Sequence, residues 1–189
     1  MKKLFAITSL ALLTSTAFAA EAGKTDTGVD YNELSISYVS TDIKTVTTTN
    51  TFTGYGLAAT YLLTENFFVL GSYSSVEKST TTLATTSGSV GYRLPMAANT
   101  DVVATIGYSY TTITTQAHQD SYPMTLGVRA AVTPDVDLGA NLIYVQADDT
   151  QSGFGASIKY KINSNLFVRG DYRSLTDSSQ YSIGVGFKF

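Results

Sequence analysis

The chain has no cysteine, no tryptophan, one histidine and three prolines among its 189 residues. Without cysteine there is neither a disulfide framework nor a thiolate metal site. A single histidine, His118, leaves little material for acid–base catalysis or an imidazole metal cluster. Charge is scarce too, with Asp, Glu, Lys and Arg making up 14% of residues, against about 25% in ordinary soluble domains. A formal net charge of −3 argues against a nucleic-acid-binding surface, which needs clustered positive charge. Beyond the first twenty residues no apolar run is longer than Phe67-Phe68-Val69-Leu70. A membrane-spanning helix needs about 20 such residues, so none is expected.

What is present begins with an export signal. Met1-Lys2-Lys3 is a short basic region, Leu4 to Leu13 is mostly apolar, and Ala17-Phe18-Ala19 supplies a small-x-small cleavage pattern. This reads as a signal peptide over 1–19, with cleavage after Ala19 (Ala20 is the alternative), followed by one domain over 20–189. Apolar residues still make up 43% of the chain. Its polar character comes from Thr, Ser, Gly and Tyr, which suit strands and turns.

Alternation of apolar and polar residues predicts strands over 31–40, 52–63, 67–76, 83–94, 101–112, 122–132, 136–146, 153–162, 166–174 and 179–189. Each is close to the 9–11 residues a tilted strand needs to cross a bilayer. Turn-like connections at 64–66, 95–100, 133–135 and 163–165 alternate with longer polar ones at 41–51, 77–82, 113–121, 147–152 and 175–178. That asymmetry, with both termini on the short side, predicts an all-β, antiparallel, up-and-down transmembrane barrel of ten strands, with eight as the alternative. An internal echo supports the register. Tyr61-Leu62-Leu63-Thr64-Glu65-Asn66-Phe67 through Gly71-Ser72-Tyr73 parallels Tyr160-Lys161-Ile162-Asn163-Ser164-Asn165-Leu166 through Gly170-Asp171-Tyr172. Duplicated hairpins and shared hairpin rules explain it equally well.

One face of every predicted strand is apolar and free of charge: Leu34, Ile36 and Tyr38 on the first, Met124, Leu126 and Val128 on the sixth, and so on. A basic side chain at the bilayer midplane of a barrel costs about 2–4 kcal/mol, so this face is expected to meet lipid. Aromatics recur on it six residues apart, at Tyr55/Tyr61, Phe67/Tyr73, Phe154/Tyr160 and Tyr181/Phe187, as two interfacial girdles would require.

The opposite face is small and polar, and carries the candidate lumen residues Glu33, Arg93, Arg129, Asp137, Lys159, Lys161, Arg169, Asp171, Arg173 and Lys188. Seven of these are basic and three acidic. Charges inside a barrel must pair or stay hydrated. Two readings fit: an ion-pair ladder that plugs the lumen, or a narrow aqueous pore whose basic wall prefers anions. Catalysis finds little support. His118, Asp120 and Ser121 offer a base, an acid and a nucleophile, but adjacency in sequence is not triad geometry. No metal, phosphate or cofactor motif is present.

The chain ends on Tyr181-Ser182-Ile183-Gly184-Val185-Gly186-Phe187-Lys188-Phe189. Here Tyr181, Ile183, Val185, Phe187 and Phe189 form one face, and the last residue is aromatic. With the export signal and the Gly-x-Tyr strands, this resembles the bacterial outer-membrane β-barrel superfamily, in particular its porin-like and opacity-protein-like small members. The resemblance implies residence in a Gram-negative outer membrane, in contact with its lipid and lipopolysaccharide. It implies delivery by periplasmic chaperones and insertion by the barrel-assembly machinery, which reads the terminal signal. The expected function is a monomeric barrel, either structural or a narrow channel for small solutes, with no cofactor and no nucleic-acid partner. Cell-surface adhesion is the alternative, and an outer-membrane protease or lipid-modifying enzyme a remote one.

Overall fold

The computed structural model describes residues 27–45, 48–114 and 118–189. The expected signal peptide lies outside the described residues. Ten strands follow one another: β1 (Glu33–Lys44), β2 (Thr49–Leu62), β3 (Phe67–Lys78), β4 (Thr81–Ala97), β5 (Thr100–Ile113), β6 (Gln119–Thr133), β7 (Val136–Gln146), β8 (Gln151–Lys161), β9 (Leu166–Leu175) and β10 (Ser178–Lys188). Each pairs antiparallel with its sequence neighbours, and β10 pairs with β1 to close a barrel. Closure satisfies every strand edge, the condition for crossing a layer that contains no water. Among the described residues no helix is long and apolar enough to span a membrane.

The register puts like against like around the wall. Ile36 faces Val185 and Leu57, and Leu142 faces Leu126 and Phe154. These side chains point away from the lumen. Leu142 and Ile183 are each 67% exposed, as part of an apolar belt that would be untenable in water. Tyr55–Tyr73, Phe154–Tyr172 and Tyr172–Tyr181 ring contacts, with centroids 6.4, 5.9 and 4.9 Å apart, form a girdle toward the loop end. Phe67 and Tyr92, 5.0 Å apart, belong to the opposite girdle, near the termini.

Three expectations need correction. First, the long-loop, short-turn asymmetry is largely absent. Ser79-Thr80 alone joins β3 to β4, and Thr176-Asp177 joins β9 to β10, connections as short as Ala98-Asn99 and Pro134-Asp135 at the other end. Thr-rich stretches such as Thr81-Thr82 and Thr111-Thr112, read as loop or strand margin, continue the ladder, because β-branched residues favour it and their backbone groups need partners. Second, these extensions carry charge on the outward face, at Asp42, Lys44, Glu77 and Asp120. Charge is therefore excluded from the apolar belt and not from the wall above it. Third, β1 starts at Glu33, and the residues before it turn into the lumen.

The prolines mark where the ladder gives way. Pro95 sits beside a register shift between β4 and β5. Pro123 lies inside β6, where the pairing with β5 is interrupted between Ile106↔Met124 and Ser109↔Ser121. A residue without an amide hydrogen cannot donate there.

The sequence echo corresponds to one device used twice. Leu63 N donates to Phe67 O (2.8 Å), as Ile162 N does to Leu166 O (2.8 Å). Asn66 and Asn165 then cap the adjacent strand ends: Arg93 N donates to Asn66 O at 2.8 Å and Lys188 N to Asn165 O at 2.6 Å. Their side-chain amides donate to the Arg93 and Lys188 carbonyls. Just beyond, the inward rings of Phe68 and Phe167 lie over Gly91 and Gly186. A Cβ on either glycine would fall 2.1 Å from the ring, so only glycine admits this contact. The space beside Gly186 is thus filled by Phe167.

Candidate functional site: the lumen

All ten ionisable residues assigned to the inward face lie on the inward rows of their strands. Glu33, Arg93, Arg129, Asp137, Lys159, Arg169 and Arg173 are buried, while Lys161, Asp171 and Lys188 are partly so. Two further acids join them. Asp101, fully buried on β5, pairs with Arg93 at 3.1 Å. Its inward parity was legible, since Val102 beside it faces out. Asp30 comes from the segment before β1 and had no strand pattern to reveal it. With both included, the seven bases face five acids rather than three.

The charges cluster toward the end of the barrel that holds the termini. Asp137 is the hub: its carboxylate lies 2.9 Å from Lys159 Nζ, 3.2 Å from Arg129 Nη2 and 3.1 Å from Lys161 Nζ. Glu33, across the closing seam, makes a short contact with Lys159 and lies 3.7 Å from Arg129. Asp171 pairs separately with Arg169 at 2.6 Å and accepts a hydrogen bond from Ser182 Oγ at 3.0 Å. The network of Glu33 and Asp137 thereby ties four strands, β1, β6, β7 and β8, through side chains that would be costly to bury alone.

Residues 27–32 close this end. Thr27, Val29 and Tyr31 are buried. The Tyr31 hydroxyl donates to Asp101 Oδ2 at 2.6 Å. Its ring packs 5.5 Å from that of Phe68, with the Arg93 and Arg129 guanidinium carbons 4.7 and 5.3 Å from its centroid. Gly28, in the left-handed region at φ 64°, turns the chain, and its carbonyl accepts from Lys161 Nζ at 3.1 Å. Asp30 is held by Lys188 at 2.6 Å and Lys161 at 3.3 Å. Burial alone would raise its carboxyl pKa, but the Lys188 bond and the nearby lysine charges hold it below its ordinary 3.8. Burial pushes the Tyr31 hydroxyl well above its usual range.

The loop end is closed differently, and against expectation. Val39, Ile43, Phe52, Val76, Leu83, Ile113, Ile143, Val145 and Leu175 all point inward and form one buried apolar cluster. The inward face is small and polar in the middle of the barrel, at Ser35, Ser74, Ser87 and Ser109, and buried Thr41, Thr85, Ser121 and Gln151 continue among the apolar residues above it. The signal was available in the inward rows themselves, where Val39 and Ile43 on β1, Val76 on β3 and Ile143 and Val145 on β7 stand toward the loops.

No triad forms at His118. The imidazole is exposed, 4.0 Å from Asp120 Oδ2, and stacks on Tyr110 with centroids 5.1 Å apart. Asp120 instead accepts a short hydrogen bond from Tyr108, and Ser121 is buried inside the barrel. Among the described residues no three His, Cys, Asp or Glu side chains gather as metal ligands would. Tyr181, Ile183, Val185, Phe187 and Phe189 all face outward and are exposed.

The chain is similar in structure to an outer-membrane channel from Pseudomonas putida F1, with a TM-score of 0.51 at 9% identity, covering 89% of this chain and 100% of the other. It is also similar to the KdgM porin in complex with disordered oligogalacturonate, with a TM-score of 0.50 at 13% identity, covering 82% and 99%. At such identities the likeness is one of fold. No curated protein sequence matches. The sequence pattern described as the outer membrane protein beta-barrel domain matches residues 5–189, in agreement with the closed antiparallel wall and its apolar exterior. The chain is a member of that family, a small outer-membrane β-barrel protein.

Proposed function

We propose that this is a structural barrel with a closed lumen, acting without catalysis and without a continuous pore. The observation that carries this is the apolar cluster from Val39 to Leu175 at the loop end, to which seven of the ten strands contribute buried inward side chains. An ion would have to shed its hydration to pass it. The barrel is monomeric in this reading, since closure leaves no strand edge to recruit a second copy. Its aromatic girdles contact outer-membrane lipid and lipopolysaccharide. It reaches the membrane after cleavage of a leader over 1–19, delivery by periplasmic chaperones and insertion by the barrel-assembly machinery. The short connections leave little surface for adhesion.

Planar-bilayer recording of the refolded protein tests the reading. The expected result is silence. Reproducible single-channel steps whose ion selectivity changes in Arg169→Glu would instead establish the anion-preferring pore, which the excess of lumenal bases over acids favours.

A further inference from the structure

Between its two closures the lumen is not packed solid. On β1 the inward row runs from buried Ser35 through partly exposed Ser37 to buried Val39. The same buried, open, buried sequence recurs at Leu70, Ser72 and Ser74 on β3, and at Arg169, Asp171 and Arg173 on β9. On β5 partly exposed Thr105 lies between buried Val103 and Ser109; on β6 partly exposed Thr125 lies between buried Pro123 and Arg129. Side chains that face inward yet keep accessible surface, with sealed layers above and below, line an internal space. Its walls are hydroxylic. Close by, the Ser74, Ser89 and Ser109 hydroxyls find no partner within the protein, a state that water relieves.

The closures differ in how they are attached. The loop-end cluster is contributed by the wall itself. The other end is stopped by residues 27–32, which belong to no strand and are held by packing and side-chain contacts: Val29 and Tyr31 among Leu62, Phe68, Leu70 and Val103, Tyr31 to Asp101, Asn32 to Leu62, and Asp30 to Lys161 and Lys188. A strand can leave the wall only by breaking two ladders; this segment can leave with the wall intact.

We propose that residues 27–32 are a removable stopper on a water-filled chamber lined by Ser37, Ser72, Thr105, Thr125, Asp171 and Ser157, the last partly exposed on the inward row of β8 before buried Lys159. The chamber admits small uncharged polar solutes from the terminal end only. This rests on the closed-lumen reading, because the loop-end cluster must stay shut when the stopper leaves.

The absence of native cysteine makes the test clean. Ser72→Cys places one thiol in the chamber of the reconstituted full chain, and a small neutral methanethiosulfonate reports access to it. In the otherwise unchanged chain labelling is slow. Tyr31→Ala accelerates it by about tenfold or more, and the isosteric Asp30→Asn, used if the first fails to fold, by about threefold to fivefold, while bilayers containing either variant stay silent. Equal labelling rates with and without the stopper substitutions, in barrels shown to be folded by circular dichroism, would overturn the proposal. Fast labelling of the unchanged chain would overturn it as well. Single-channel steps in the unchanged chain would break the closed-lumen reading, whereas steps confined to the stopper variants would show that the chamber opens at both ends.

Discussion

The two ends of the lumen are shut by different physics. At the loop end nine apolar side chains meet, and their association is non-directional and scarcely responsive to salt or pH. At the terminal end Asp30, Glu33, Asp101 and Asp137 with their Arg and Lys partners close the space beside a smaller apolar cluster of Val29, Tyr31, Leu62, Phe68, Leu70 and Val103, and the polar contacts among them depend on geometry and protonation. The first closure tolerates change as long as volume is kept. The second fails if one shared counter-ion is lost, because what remains is buried charge. A barrel wall fixes where side chains point, and composition at each level then decides whether the interior is sealed robustly or conditionally.

Substitutions at each end would sharpen this contrast. The largest effect is expected for Asp137→Asn, which removes the carboxylate shared by Arg129, Lys159 and Lys161. Urea unfolding of the reconstituted barrel should show a loss of about 3–5 kcal/mol. A near-neutral result would mean that these cations are hydrated and not held by the pair network.

Leu83→Ala opens a cavity in the loop-end cluster and should cost about 2–5 kcal/mol. The same loss is expected at low and high salt. A loss that varied with ionic strength would place charge where none is drawn.

The smallest effect is at Asp30. Its folded-state pKa is depressed below 3.8, so its contribution is present above that value and disappears as pH falls through the lowered one. Asp30→Asn should therefore lower stability near neutrality by about 1 kcal/mol or less, the size of a partly exposed pair, and the gap to the unchanged chain should close in acid. A gap that widened on acidification would contradict the assignment.

Much of the wall was legible in the sequence. Period-two alternation identified the outward rows from Leu34-x-Ile36 to Val185-x-Phe187, because lipid on one side penalises every exception within the belt. Inward residues face no such uniform solvent. Their rows therefore mix serine, charge and Phe or Leu, and parity placed Arg93 or Lys159 inside without saying what each would meet. Asp101 was readable by the same parity and was missed at a strand's first residue. Asp30 was not readable, since it lies in an irregular segment whose position depends on contacts far along the chain, at Lys161 and Lys188, and Tyr31, first in the expected strand and on its inward parity, gave no sign of Asp101 as its partner. The loop-end extensions escaped notice for another reason: above the apolar belt the outward face is polar, so the amphipathic signal stops while the ladder continues.

By itself, then, the sequence determined a ten-stranded wall, the face each residue takes and the solvent it meets, because strand alternation is local and a lipid exterior tolerates no charge. Only the tertiary structure decided how the interior is filled. Across a closed barrel, residues such as Glu33 and Lys159 become neighbours through closure and register. No local rule then says whether a given layer will be sealed by apolar packing, sealed by ion pairs, or left open to water.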